Sequence, residues 1–123
     1  MEKGIKYDDF KLDWTLLPFK SVVEVIKVLM CGACKYSRDN WKKVPELRYR
    51  YKKALMRHAT NYALKDEMLD EDYKLHHLAH LICCALFLIW LDIEDKLYIP
   101  FEPNYAEIKK KYDKIKQEKG INR

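Results

Sequence analysis

His77-Leu78-Ala79-His80-Leu81-Ile82-Cys83-Cys84-Ala85-Leu86-Phe87-Leu88-Ile89-Trp90 decides the fold of this chain. A helix drawn through it is apolar on nearly every side, and such a helix is expected to be buried. His77 and His80, three residues apart, share one face of that helix. Just upstream lies an acidic stretch, Asp66-Glu67-Met68-Leu69-Asp70-Glu71-Asp72. Ligand-type side chains at the mouth of a buried helix point to a site for a metal or a charged ligand. The apolar run is shorter than the roughly 20 residues of a membrane span, so no membrane association is expected.

Outward from this stretch the helical period continues. Helix three is predicted from about Lys74 to Asp95. Helix two is predicted from about Glu46 to Lys65, with Leu47, Tyr51, Ala54, Leu55, His58 and Tyr62 on one stripe. His58 therefore faces inward. Helix one is predicted from about Phe19 to Tyr36, with Val22, Val23, Ile26, Leu29, Met30 and Ala33 at helical spacing. Ser21 and Glu24 have the spacing of a capping box at its start. Residues 1–18 read as an extended arm ending at Pro18, and Leu97 to Pro103 breaks the pattern. A basic terminal helix comes next within 104–123, about Tyr105 to Lys119, with a narrow seam of Tyr105, Ile108, Tyr112 and Ile115. No strand signal, internal repeat or low-complexity segment is visible. The expected fold is all-α, one domain with a three-helix core plus the C-terminal helix. Three helices leave a marginal core and the fourth carries an exposed seam, so a homo-oligomer is expected.

Composition agrees. A chain of 123 residues suffices for one modest core. At 49% hydrophobic and 35% charged it belongs with folded soluble proteins, not disordered ones. The net charge of +5 is mild and partly concentrated between Lys109 and Lys119, where it reads as a solvated helix face. With no helix-turn-helix pattern, aromatic single-strand platform or zinc-finger spacing, a nucleic-acid partner is not expected. Cys31, Cys34, Cys83 and Cys84 read as small buried hydrophobes, not a zinc knuckle or a disulfide framework. The N-terminal residues lack an apolar segment, so no signal peptide and a cytoplasmic protein are expected.

The chemistry-bearing residues form two groups. His58, His77 and His80, with carboxylates of the acidic loop, would suit a divalent cation if helices two and three pack antiparallel. Histidines favour zinc or manganese, and carboxylates with waters favour magnesium. Taken singly, each imidazole also fits a hydrogen-bonded core histidine. Glu24 is a carboxylate in an apolar helix, which is costly unless paired, metal-bound or used as a cap. Asp70 and Asp72 precede helix three, where the helix dipole favours negative charge. The second group is Lys35, Tyr36, Arg38, Asn40 and Trp41, together with Arg57. Cations, flat rings and an amide could hold phosphates and a base; a helix end packed with aromatics explains the same residues. No nucleophilic serine motif, phosphate-binding glycine loop or dinucleotide fingerprint is present, which leaves a metal-activated water as the simpler mechanism.

Lys6-Tyr7-Asp8, Lys11, Trp14, Leu16-Leu17-Pro18, Gly32-Ala33, Lys35-Tyr36, Asn40-Trp41, Arg57-His58 and His76-His77-Leu78-Ala79-His80 stand in the order seen in a known family. In these motifs the sequence resembles the phage-associated dATP/dGTP diphosphohydrolase domain family, from about Lys6 to Leu91. The resemblance implies a helical domain similar to MazG-type nucleotide pyrophosphatases. It also implies hydrolysis of a purine deoxynucleoside triphosphate to monophosphate and pyrophosphate. In MazG-type enzymes, paired ExxE and ExxD motifs hold magnesium. Here His58-Ala59-Thr60-Asn61 and His77-Leu78-Ala79-His80 stand at those places, so the spacing is kept and the ligand chemistry changed. On this resemblance Glu24, His58, His77 and His80 surround a divalent metal, with Glu67 or Asp70 as a further ligand or as base. Lys35 and Arg57 steady the phosphates, and Tyr36, Asn40 and Trp41 line the substrate. The alternative is a phage-derived protein that sequesters a nucleotide without turnover.

Overall fold

The computed structural model describes residues 3–120, which fall into two compact units. The larger, Leu17–Ile99, holds three helices: α1 (Phe19–Lys35), α2 (Leu47–Ala63) and α3 (His77–Glu94). A short 3-10 segment, Asn40–Lys43, lies between α1 and α2. The apolar helix α3 packs against both neighbours. The all-α expectation holds.

Helix α1 starts at Phe19 because Pro18 occupies the position before it, with φ −75° preset by its ring. The Pro18 carbonyl accepts from the Ser21 and Val22 amides at 2.9 and 3.2 Å. Ser21 is therefore already inside the helix, and the predicted capping box does not form. Glu24 instead pairs with Lys27 at 2.8 Å, one turn along the same helix.

Val25 and Val28 of α1 form the core with Ala79 and Cys83 of α3, and Leu29, Leu75 and Phe87 pack around them. Ala79 and Cys83 are four apart, so one small-residue stripe lets α1 approach closely. The Cys83 thiol donates to the Val25 carbonyl at 3.6 Å. Burial pushes the Cys83 thiol up to about 12 and that of Cys84 to about 11, so both act as small hydrophobes. Cys34 departs from that expectation and is exposed.

Helices α2 and α3 run antiparallel. Arg48, in the first turn of α2, binds Asp92 and, at 2.8 Å, Asp95 at the far end of α3. At the other end His58 meets His77. Between them Trp41 stacks on Phe87 at 4.2 Å and meets Trp90 edge-on at 4.9 Å; Tyr51 meets the same Phe87 edge-on at 5.0 Å. Arg48→Met should lower the melting temperature at low ionic strength. The gap from the parent should narrow in high salt, because the pair is partly exposed and screened. A gap insensitive to salt would assign the loss to packing of the arginine stem.

Helix α3 begins three residues later than the predicted Lys74. Lys74 takes a left-handed φ of 59°, and His76 caps the helix by accepting the Leu78 amide at 3.0 Å. The chain before it folds back, with a single antiparallel bridge between Leu69 and His76. Hydrogen bonding to the loop thus outcompetes another helical turn.

The smaller unit comprises residues up to Leu16 and from Pro100 onward. Its helix α4 (Tyr105–Glu118) is capped by Asn104, which accepts the Glu107 amide at 3.1 Å. Phe10 stacks on Tyr105 at 6.0 Å. The arm expected to be extended carries a turn, in which the Lys11 amide donates to the Asp8 carbonyl at 3.3 Å and Phe10 takes a left-handed φ of 59°, and a 3-10 segment at Trp14–Leu16.

Candidate active site

The acidic stretch before α3 turns one carboxylate inward. Asp70 is buried while Asp66, Glu67, Glu71 and Asp72 are exposed. One Asp70 oxygen accepts the Tyr73 amide at 3.0 Å. The other accepts the Leu75 amide at 2.9 Å and lies 3.0 Å from His80 Nε2. The backbone ties the same loop shut: the Asp70 amide donates to the Leu75 carbonyl at 2.9 Å and the His77 amide to the Met68 carbonyl at 2.8 Å. Burial pushes the Asp70 pKa up, but the Tyr73 and Leu75 amides and His80 outweigh it and bring it down to about 2. Asp70 is therefore ionised at neutral pH, through specific donors more than through the helix dipole.

His80 stacks on His58 with ring centroids 4.6 Å apart and planes 7° from parallel. Tyr73 stacks more loosely on His80, at 6.1 Å. His58 Nδ1 lies 2.8 Å from His77 Nδ1, so one of these nitrogens carries the proton and the other accepts it. Both rings are buried. Burial, then the His80, Arg57 and His77 charges, lower the His58 pKa from 6.5 to about 4. His58 is neutral at pH 7.

This shift has a signed consequence. Between pH about 6.5 and about 4 the unfolded chain binds a proton at His58 that the folded chain refuses. Stability should therefore fall as the pH is lowered through that window, with a slope approaching about 1.4 kcal/mol per pH unit from this group. Urea denaturation at stepped pH tests it: His58→Gln should flatten the slope, and an unchanged slope would remove His58 as its source.

A shared metal does not fit the three imidazoles as they pack here. Ring lone pairs lie in the ring plane, and the near-parallel, stacked planes of His58 and His80 do not converge on one point. Two ligands at about 2.0–2.1 Å from a tetrahedral ion would also stand wider apart than the hydrogen-bonded His58 and His77 nitrogens. Among the described residues no three His, Cys, Asp or Glu side chains gather as a metal-binding group. The structure thus brings His58, His77, His80 and Asp70 together as a hydrogen-bonded, stacked cluster. It leaves Glu24 outside, in its ion pair with Lys27.

The other sequence candidates divide. Lys35, Tyr36, Arg57 and Glu67 are exposed, with the Lys35 ammonium over the Tyr36 ring at 5.3 Å. Asn40 is half-buried. Trp41, expected to contact a base, is half-buried and packs its ring on Phe87 and Trp90. His76, which could have paired with His80 across one turn, serves as the helix cap and packs beside Tyr62. Tyr73 was not singled out from sequence. Its place three residues after Asp70, where an aspartate captures a downstream amide, is the signal that marks it.

The profile of the family described as dATP/dGTP diphosphohydrolase, N-terminal, matches residues 1–99. The chain belongs to this family. A dATP/dGTP diphosphohydrolase of Salmonella phage PMBT28 is 33% identical over 90 residues, which is 72% of this chain and 29% of that protein. The chain thus spans less than a third of that relative's length. No solved structure matches. The family region contains α1, α2, α3 and the whole His58–Asp70–His77–His80 cluster, while α4 lies beyond it.

Proposed function

We propose that this chain carries the nucleotide site of a purine deoxynucleoside triphosphate diphosphohydrolase, releasing monophosphate and pyrophosphate from dATP or dGTP. The observation that carries the reading is the buried Asp70–His80 pair stacked on a neutral imidazole. A carboxylate that holds one imidazole nitrogen leaves the other to take a proton, which is the arrangement of an oriented general base. In the proposed step Asp70 accepts the Nε2 proton of His80 in a hydrogen bond, and His80 Nδ1 takes a proton from water. The water oxygen forms a bond to the α-phosphorus, the bond to the bridging oxygen breaks, and that oxygen leaves with pyrophosphate. Asp70 is then a positioning residue, and His80 takes the role of base that the sequence offers to Asp70 or Glu67.

Lys35 and Arg57 are the exposed cations proposed for the phosphates, where the work is positioning and electrostatics. Tyr36 and Asn40 remain the candidates for the nucleoside. A divalent ion, magnesium or manganese, enters this reading with the substrate as a metal–triphosphate complex. The exposed loop carboxylates, Glu67 among them, have the oxygen chemistry to meet it.

The test is ion-exchange product analysis after incubation with each dNTP and NTP, in magnesium and in manganese. Monophosphate and pyrophosphate from a purine deoxynucleotide, lost in His80→Ala, is the expected result. Undiminished turnover in that variant would end the role of His80, and intact nucleotides under every condition would end the catalytic reading. A second reading, nucleotide binding without turnover, is favoured by one observation: the three imidazoles bond and stack on each other without converging on a metal. Under it, a purine nucleotide comes off intact when the loaded protein is denatured.

A further inference from the structure

Phe10 is a bulky residue held at a left-handed φ of 59°, a conformation that persists only where the surrounding structure enforces it. Its ring stacks on Tyr105 at 6.0 Å, yet the residue stays 53% exposed. Beside it on α4 lies an open hollow of about 470 Å³, lined also by Lys109, Lys110, Asp113, Lys114 and Gln117. That volume is in the range of ligand sites. Asp113 is the one carboxylate of the hollow, and Lys109 neutralises it at 2.6 Å. Lys110 and Lys114, four residues apart on the same helix face, keep their charge for a ligand. A second hollow, of about 840 Å³, also borders Phe10, but there Lys6 and Lys11 stand among Asp8, Asp9 and Asp13. Only the α4 side therefore favours an anion.

An open aromatic ring next to paired ammonium groups matches a base joined to phosphates. We propose that the arm and α4 together bind single-stranded nucleic acid, with a base stacked on Phe10 and backbone phosphates on Lys110 and Lys114. The sequence shows no such platform because Phe10 and the lysines stand at opposite ends of the chain. The proposal is independent of the catalytic reading, whose residues it does not use, and α4 lies beyond the family region. The open form of the hollow decides for a strand, since a site for a free nucleotide buries most of its ligand. A duplex keeps its bases stacked inside, away from Phe10. The helical register decides against a lipid surface. Ile108, Tyr112 and Ile115 form the apolar stripe of α4 and lie across the helix from Lys110 and Lys114, so stripe and lysines cannot face one membrane together.

Fluorescence anisotropy of a labelled oligothymidylate with the full chain tests this, because that probe is no purine triphosphate. Affinity should fall as salt rises from about 50 to about 200 mM. Phe10→Ala should weaken binding about tenfold, and Phe10→Trp should restore it. Lys110→Gln combined with Lys114→Gln should weaken binding and flatten its salt dependence. Lys52→Gln, at an exposed site on α2, should change nothing. If Phe10→Ala fails to fold, the parent still gives an answer. Irradiated with an iododeoxyuridine oligonucleotide, it should carry the crosslink on the tryptic peptide Tyr7–Lys11, and a crosslink confined to α1, α2 or α3 would overturn the proposal. So would absence of binding up to about 100 μM protein, or binding indifferent to Phe10 and both lysines. Displacement of the oligonucleotide by an equal nucleotide concentration of dTMP would overturn it in favour of a mononucleotide site. Co-sedimentation with phosphatidylcholine–phosphatidylglycerol vesicles, without oligonucleotide binding, would overturn it in favour of lipid.

Discussion

Asp70→Ala should lower the unfolding free energy by about 3 kcal/mol and abolish turnover of any nucleotide the parent hydrolyses. The side chain accepts from two buried-loop amides, Tyr73 and Leu75, and partners His80. Removing it leaves three groups short of a partner where water has little access, and each such loss is on the order of 1 kcal/mol or more. Asp70→Asn separates structure from chemistry. Its amide oxygen can keep one loop bond, so about half of the stability should return. A neutral amide no longer stabilises a charged His80, so activity should stay low. Urea denaturation of both variants gives the first quantity and pyrophosphate release the second. An alanine variant within about 0.5 kcal/mol of the parent would mean that the loop closes without its carboxylate.

Trp41→Ala should cost about 3 kcal/mol, the scale for deleting a large ring from a packed site. The ring is stacked on Phe87 and edge-on to Trp90, and it fills the gap at the α2–α3 junction. Trp41→Phe should recover most of that loss. If packing is the whole role of Trp41, the phenylalanine variant keeps the parent's nucleotide KM. A KM raised tenfold or more with stability intact would return Trp41 to the substrate.

Much of this molecule is legible from its side-chain periodicity. Four α-helices were expected and four are present among the described residues, because each carries an apolar stripe long enough to define its axis. Helix α1 starts at Phe19 as expected, set by Pro18 and not by a Ser21 cap. The start of α3 slipped because local hydrogen bonding competes with the helix: the folded loop of Leu69 to His76 delays it to His77. The inward face of His58 was readable from its stripe, and the meeting of His58 with His77 from an antiparallel turn. The inward carboxylate was harder, because Asp70 looks like its acidic neighbours in Asp66-Glu67-Met68-Leu69-Asp70-Glu71-Asp72. Its selection depends on the Tyr73 and Leu75 amides, which are aimed at it only once Lys74 adopts its left-handed turn.

By itself the sequence determined the helical class, the order of the elements and the family, since periodicity and short ordered motifs are local properties of the chain. It also placed His58 on an inward face and His77 and His80 together on one face of a buried helix. Only the tertiary structure decided how they pack. Ring orientation and nitrogen distance, set by the α2–α3 packing, give a stacked, hydrogen-bonded cluster anchored on Asp70. The same packing sets the half-buried Trp41 against Phe87 and Trp90 and leaves much of the apolar surface of α3 exposed, because a helix apolar on all sides cannot be covered by two neighbours alone.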